Sequence, residues 1–265
     1  MEQNQWLARK DGQRLAFAHL PGAAPTVVFL PGFRSDMQGA KALAVRDFCA
    51  ARGQACLRLD YSGHGASDGA FTDGTIGRWA ADARLVIEAC VTGEVILVGS
   101  SMGGWIALLL TRTMAARVTG LVVIAAAPDF TETLMWASMT PSERMALQAD
   151  GRISVASAYG EDLVITRDLI EEGRAHLLLG EAIALACPVR LLQGQLDADV
   201  PWETALKLAQ AIEGPDVQVT LIKDGDHRLS RPADLALLVR TVAALLGENG
   251  GQALAVAGIA PGDAE

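Results

Sequence analysis

Two adjacent serines, Ser100 and Ser101, lie in the stretch 95–105, which reads VILVGSSMGGW. The nucleophile pattern G-x-S-x-G requires a glycine two positions either side of the serine, and only Ser101 has them, at Gly99 and Gly103. On a sharp strand-to-helix turn such a serine exposes its hydroxyl for attack on a substrate. Glycine is required on both sides because Cβ atoms would collide where the strand and helix approach. The alternative is a glycine-rich turn with an incidental serine.

A serine nucleophile needs a general base, and the base needs an acid to orient it. Of the four histidines, His227 follows the last predicted strand, on the loop IKDGDHRLS, where ligand chemistry gathers in an open α/β sheet. The acid is expected after the preceding strand, in LLQGQLDADVPW, where Asp197 and Asp199 compete. In an extended chain, residues two positions apart point to the same side, so Asp197 and Asp199 would face the same way. The local pattern therefore leaves this choice open. Each is also consistent with an ordinary turn residue.

Negative charge on a reacting carbonyl oxygen would need backbone N–H donors. The Met102 N–H begins the predicted helix after Ser101 and is one such donor. The second is expected from Phe33 in the loop LPGFRSD, which follows the strand TVVFL. The alternative for this loop is a simple turn at the end of a strand.

The elements that must position these residues alternate between strands and helices. Apolar runs predict strands at 26–30, 55–61, 95–100, 121–127, 189–194 and 217–222, after two short strands within 5–20. Helical periodicity covers 40–52, 75–91, 102–114, 201–212 and 232–246. This alternation predicts an α/β fold with a mostly parallel, doubly wound sheet and helices on both faces.

The alternation lapses between 129 and 186, where 131–149 and 166–180 look helical and 153–166 is ambiguous. We therefore expect an α/β core formed by 1–128 and 187–246, with 129–186 inserted as a helical cap over the carboxyl end of the sheet. Residues 247–265 are rich in Gly and Ala and are expected to form a mobile tail.

The expected cap carries apolar side chains that are suited to an acyl chain, since methionine adapts to irregular ligands. They are Leu134, Met135, Trp136, Met139 and Met145. Packing of the cap on the body is an equally good explanation. Arg34 and Arg228 flank the predicted donor loop and base, and either could hold a substrate carboxylate or be an ordinary surface arginine.

Composition narrows the class of protein. The chain has 265 residues, 51% of them hydrophobic, and a formal net charge of −9. These values allow a large core and argue against nucleic acid or an anionic membrane as a partner. The four cysteines form no CxxC pair and no metal-ligand spacing with histidine, so we expect no disulfide framework and a reducing compartment. The serine chemistry described above needs no metal and no organic cofactor, so we expect neither. Without a secretory h-region or a run of about 18–20 apolar residues, we expect a cytoplasmic protein with no stable membrane insertion.

Together these motifs resemble the α/β-hydrolase family. LPGF matches its oxyanion loop, DYSGHGASDG at 60–69 its D-x-x-G-x-G-x-S turn, and GSSMGG its nucleophile elbow. The resemblance implies the chain order serine, acid, histidine, and the D-x-x-V-P element at 197–201 implies that Asp197 is the acid. It also implies a structural turn, without chemistry, for Asp60, His64 and Ser67.

Longer strips, spread from about 26 to 246, are similar to the mitochondrial acyl-protein (palmitoyl-protein) thioesterases of animals, which are also described as mycophenolic acid acyl-glucuronide esterases. This resemblance implies hydrolysis of a small-molecule or acyl-protein ester or thioester through a Ser-His-Asp triad and an acyl-enzyme. The alternatives are a carbon–carbon bond hydrolase with the same triad and a ligand-binding protein that kept the fold without catalysis.

Overall fold

The computed structural model describes residues 4–155 and 162–247. The strands of this part are β1 Gln5–Ala8, β2 Arg14–Leu20, β3 Ala23–Leu30, β4 Gln54–Leu59, β5 Val95–Ser100, β6 Val118–Ile124, β7 Arg152–Val155, β8 Leu163–Thr166, β9 Ile183–Ala184, β10 Val189–Gly194, β11 Ile212–Glu213 and β12 Val217–Ile222. The α-helices are α1 Ala40–Arg52, α2 Ile76–Cys90, α3 Met102–Thr113, α4 Pro141–Asp150, α5 Arg167–Gly173, α6 Glu203–Ala211 and α7 Pro232–Leu245. Short 3-10 turns cover Phe71–Asp73 and Arg174–His176, and a π-helical turn covers Thr131–Trp136.

Eight of these strands form one sheet in the order β1-β2-β4-β3-β5-β6-β10-β12. The strands from β4 to β12 in this order pair in parallel, while β1 and β2 form an antiparallel edge. The prediction of a mostly parallel α/β sheet is therefore confirmed.

Strand β3 shows why helices cover both faces of the sheet. Its successive side chains point to opposite faces, and both sets are apolar and buried. Val28 and Leu30 join a core built with α2, α3 and α6, whereas Val27 and Phe29 join a core built with α1 and α7. A strand that is buried on both faces lies in the middle of the sheet, as β3 does between β4 and β5.

The segment 129–186 departs from the predicted helices. The expected helix 131–149 is interrupted, because α4 begins at Pro141 with Thr140 and Glu143 forming a capping box. The expected helix 166–180 ends at Gly173 and continues as a 3-10 turn. The ambiguous stretch contains the antiparallel pair β7–β8. Both strands are only four residues long. Strand β7 alternates between exposed and partly buried residues, and β8 is mostly partly buried, so neither forms the fully buried apolar run of the core strands.

Two sets of hydrogen bonds join the later part of this segment to the residue that starts it after β6 and to helix α3. The buried Asp129 carboxylate follows β6 and accepts hydrogen bonds from the N–H groups of Leu178 and Leu179, both at 2.8 Å. The Trp105 indole of α3 donates to the His176 carbonyl at 3.0 Å. The division into core and cap stays a prediction, and positions 248–265 of the expected tail lie outside the described residues. Among the described helices, none has the length and apolar character needed to cross a bilayer.

Candidate active site

Ser101 occupies the turn between β5 and α3 with a strained backbone, at φ 54° and ψ −118°. Positive φ is unfavourable for a residue with a side chain and is typical of functional turns. The glycines on either side are required by close approach. A Cβ atom on Gly99 would lie 2.2 Å from the Gly103 carbonyl oxygen, and one on Gly103 would lie 2.1 Å from the Leu30 carbonyl oxygen. The sequence therefore folds here in the way that presents Ser101 at the edge of the sheet.

His227 and Asp197 meet at this edge. The His227 Nε2 lies 3.2 Å from the Ser101 Oγ, and the His227 Nδ1 lies 2.9 Å from the Asp197 Oδ2. The two residues follow β12 and β10, which are parallel to β5, so all three strands deliver their carboxyl ends to the same side. A continuous hydrogen-bonded chain runs from carboxylate to imidazole to hydroxyl.

The Asp197 carboxylate is completely buried and accepts four hydrogen bonds. Its Oδ1 accepts from the Asp199 and Val200 N–H groups at 2.9 and 2.8 Å, and its Oδ2 accepts from His227 and from the Gln193 Nε2 at 2.9 Å. Burial raises the pKa of this carboxyl, but the hydrogen bonds from His227 and from the two backbone N–H groups outweigh it. The pKa of Asp197 therefore lies below its usual value, and the carboxylate is ionised.

The geometry separates the two aspartates that the local pattern left open. Asp199 is exposed, and its backbone N–H supports the Asp197 carboxylate. Ligand atoms of Asp197, Asp199 and His227 lie within 4.8 Å of one another. Asp197 and His227 are already committed to other partners, however. Asp197 accepts four hydrogen bonds, and the two ring nitrogens of His227 contact the Asp197 carboxylate and the Ser101 hydroxyl. This set does not fit a resident metal ion.

The predicted donor residues Phe33 and Met102 lie beside Ser101 in the wall of one cavity. Met102 is the first residue of α3, so its N–H has no partner within the helix. The Phe33 ring packs edge-on against neighbouring rings with centroids 4.9–5.9 Å apart; they are Phe71, Trp79 and Phe130. The ring thus anchors the loop beside Ser101, and the role of the Phe33 N–H as a donor stays a prediction.

This cavity has a volume of about 1040 Å³ and contains Ser101 and His227 in its wall. Part of the wall is apolar and comes from 129–186; its members are Phe130, Leu134, Met135, Met139, Val155, Leu163 and Ile165. Another part is polar and comes from the loop after β3, the start of α1 and the loop after β12. Arg34, Lys41 and Arg228 belong to this polar part.

Two of the predicted acyl-pocket residues are corrected by the structure. Met145 is 74% exposed, and Trp136 lies outside the described lining of the cavity. The Trp136 ring instead lies between the guanidinium groups of Arg144 and Arg174, at 4.8 and 4.9 Å from its centroid. The prediction assumed one regular helix, whereas the π-helical turn and the new start at Pro141 change which side chains face inward.

Lys41 and Gln193 were missed by the sequence reasoning. The Lys41 Nζ donates to the Arg228 carbonyl, next to the base, and burial lowers the pKa of Lys41 to about 8. Gln193 is 1% exposed and donates to Asp197. Of these two residues, only Gln193 could have been noticed in the sequence, because it is a polar residue inside the apolar strand VRLLQG.

Comparison with known proteins places this geometry in a family. The profile described as "Alpha/beta hydrolase family" matches residues 27–238. The chain belongs to the α/β-hydrolase family. Among curated relatives, "Palmitoyl-protein thioesterase ABHD10, mitochondrial" of Pongo abelii is 40% identical over 240 residues, covering 89% of this chain and 78% of the relative. The Homo sapiens protein of the same name is 39% identical over the same length and coverage.

Solved structures of other α/β-hydrolases superpose closely. A putative hydrolase from Agrobacterium vitis S4 is 42% identical with a TM-score of 0.88, and the match covers 92% of this chain and 99% of that one. Alpha/beta hydrolase domain-containing protein 10 from mouse is 36% identical with a TM-score of 0.85, covering 92% and 98%. These likenesses confirm the predicted fold and the prediction of an ester or thioester hydrolase.

The predicted cytoplasmic location is wrong. The curated relatives are named as mitochondrial proteins. The prediction rested on the first residues of the chain, whereas the similarity to these relatives lies in the folded enzyme that follows.

Proposed function

We propose that this α/β-hydrolase cleaves carboxylic thioesters and esters by two-step acyl transfer, with Ser101 as the nucleophile, His227 as the base and Asp197 as the orienting acid. The observation that carries the proposal is the hydrogen-bonded chain of 2.9 Å from Asp197 to His227 and 3.2 Å from His227 to Ser101. These distances lie at hydrogen-bonding range, which activation of a serine requires.

The first step forms the acyl-enzyme. Because Asp197 accepts a hydrogen bond from the His227 Nδ1–H, the proton stays on Nδ1 and Nε2 is left as the basic nitrogen. Nε2 takes the proton of Ser101 as Oγ attacks the carbonyl carbon. The ionised Asp197 then stabilises the imidazolium. The Phe33 and Met102 N–H groups stabilise the tetrahedral oxyanion, and losing one such donor typically lowers the rate by about 10²–10³.

The first step ends when the tetrahedral intermediate collapses and His227 gives its proton to the departing thiolate or alkoxide, which leaves the acyl-enzyme. In the second step a water molecule attacks the acyl-enzyme while His227 accepts one of its protons. Collapse of this second intermediate returns that proton to the Ser101 Oγ and releases the acyl group as a carboxylic acid. The products are a carboxylic acid and a thiol or alcohol. Every proton in this sequence moves through His227, and the chemistry requires no metal or organic cofactor.

The substrate is proposed to be an acyl chain linked to a protein cysteine or to a small molecule. The relatives are named palmitoyl-protein thioesterases. In this chain, the apolar wall that includes Leu134, Met135 and Met139 reaches the same cavity as Ser101 and is suited to an acyl chain. The polar wall with Arg34 and Arg228 would face the leaving group.

Hydrolysis of an S-palmitoylated cysteine peptide, followed through release of the free thiol, tests this function. Wild type is expected to turn over, Ser101→Ala is expected to lose at least about 10³-fold in kcat, and the neighbouring variant Ser100→Ala is expected to keep turnover. Equal activity of Ser101→Ala and wild type would refute the proposal. A carbon–carbon bond hydrolase would cleave a vinylogous diketone and leave the peptide intact.

A further inference from the structure

The carboxyl end of β4 and the turn that follows it hold the loop that carries Phe33. Four hydrogen bonds make this contact, one from Arg58 of β4 and three from the turn, and each uses a backbone group of the loop. They are Tyr61 hydroxyl to Pro31 carbonyl at 3.1 Å, Arg34 N–H to His64 Nε2 at 3.3 Å, Met37 N–H to Asp60 Oδ1 at 2.7 Å and Arg58 guanidinium to Met37 carbonyl at 2.5 Å. The turn thus does more than complete the fold, since it determines the path of the loop beside Ser101.

His64 is held in one orientation and one tautomer. Its side chain lies among the rings of Tyr61, Phe71 and Trp79, with centroids 5.0–5.5 Å away, and the residue is only 3% exposed. Because the Arg34 N–H is a donor, His64 Nε2 must be the acceptor, which leaves the proton on Nδ1 facing the Ser62 carbonyl at 3.3 Å. Burial lowers the pKa of His64 to about 4, so the neutral ring persists at neutral pH.

The accepted N–H belongs to a strained residue. Arg34 has φ 56°, a left-handed conformation that costs a residue with a side chain roughly 1 kcal/mol or more. A hydrogen bond to this N–H stabilises the conformation by fixing the peptide plane between Phe33 and Arg34. The Tyr61 hydroxyl fixes the plane after Pro31 in the same way. The peptide that presents the Phe33 N–H lies between these two fixed planes.

We propose that His64 is a positioning residue of the hydrolytic reaction, which accepts the Arg34 N–H and thereby holds the Phe33 N–H where the oxyanion forms. This inference rests on the proposed function, because it assumes that Phe33 supplies an oxyanion donor. His64 touches neither the substrate nor Ser101 in this account, and it acts through the backbone of the loop.

Replacement of the acceptor tests the inference. His64→Phe keeps a ring of similar size but offers no acceptor, whereas His64→Gln places an amide oxygen close to the position of Nε2. Ser67→Ala is the control, because it removes hydrogen bonds of the same turn to Ala16 and Asp60 without touching the loop. For each folded variant, kcat and KM are measured with an acyl thioester, and the inhibition constant is measured with an alkyl boronic acid, which forms a tetrahedral adduct on serine.

The expected result for His64→Phe is a fall of about 10-fold or more in kcat with KM changed less than about threefold, and boronate affinity weakened in parallel. His64→Gln should recover most of the lost kcat and most of the lost boronate affinity, and Ser67→Ala should resemble wild type. Unchanged kcat in a folded His64→Phe, an equal loss in His64→Gln, or a change confined to KM would overturn the inference. If Ser101→Ala is inactive while His64→Phe is fully active, only this inference fails; if Ser101→Ala is active, the proposed function fails.

Discussion

The hydroxyl of Ser101 lies 3.2 Å from the His227 Nε2, although 126 positions separate the two residues in sequence. The parallel order β5-β6-β10-β12 accounts for this proximity, because it brings the carboxyl ends of non-consecutive strands to one edge of the sheet. A buried carboxylate on the far side of the imidazole completes the arrangement. We propose that Ser101, His227 and Asp197 act as one catalytic unit.

Replacing the two neighbouring aspartates separately tests which of them acts as the acid. Asp197→Asn should lower kcat by about 10⁴-fold, because an amide no longer holds the imidazole tautomer that leaves Nε2 basic. Asp199→Asn should lower it by less than about tenfold, since Asp199 contributes its backbone N–H, which the substitution retains. Steady-state kinetics on both purified variants provide the measurement. The reverse ranking would assign the acid to Asp199.

Narrowing the apolar wall should change the preferred acyl chain. Met135→Trp adds volume inside the cavity, so kcat/KM for a sixteen-carbon thioester is expected to fall by about tenfold or more while a four-carbon thioester is nearly unaffected. Met145→Trp is the matched control, because Met145 is 74% exposed. A chain-length series on both variants checks the expectation. Equal loss at all lengths, or the same shift in the control, would place the acyl chain elsewhere.

The buried neutral His64 should make stability fall in acid. Burial depresses its pKa from 6.5 to about 4, so between these values the unfolded chain binds a proton that the folded chain does not. The free energy of unfolding therefore rises with pH across this window, by up to about 1.4 kcal/mol per pH unit from this one group. The contribution of the buried, neutral His64 to the free energy of unfolding is fully present above about pH 6.5 and is lost as the pH falls to about 4.

Urea unfolding of wild type and His64→Phe from pH 4 to 7 isolates this effect. The variant should show a flatter dependence on pH, whatever its absolute stability, since the nearby Asp60 carboxyl, whose pKa is raised by burial, titrates in both proteins. Parallel curves for the two proteins would mean that His64 binds its proton equally well in the folded and unfolded chains.

Much of the core was predictable because its signals are local. Strand β3 is a short apolar run ended by Pro31, and Gly99 and Gly103 mark a turn that no larger residue can form. The serine and the histidine follow from such signals together with chain order. The acid did not follow from the local pattern, because Asp197 and Asp199 face the same way in an extended chain. The resemblance to the family favoured Asp197, and the folded turn, in which the Asp199 N–H donates to the Asp197 carboxylate, gives the physical reason.

The segment 129–186 was less predictable because tertiary contacts decide its structure. Trp136 is a large apolar residue of the kind expected in an acyl pocket. Its ring instead contacts two arginines from different helical segments and lies outside the described lining of the cavity. The pair β7–β8 has too few buried residues to produce a strand signal. The function of His64 was hidden for a related reason, since its partner is a backbone N–H thirty positions away in another loop.

Labelling with a fluorophosphonate followed by peptide mass mapping shows whether Ser101, His227 and Asp197 act as one unit. This electrophile forms a stable bond to a serine that a neighbouring base activates. We expect one adduct, on Ser101, that is lost in His227→Ala and strongly slowed in Asp197→Asn. A folded protein that forms no adduct, or forms it on Ser100 or independently of His227, would show that these three side chains do not act together.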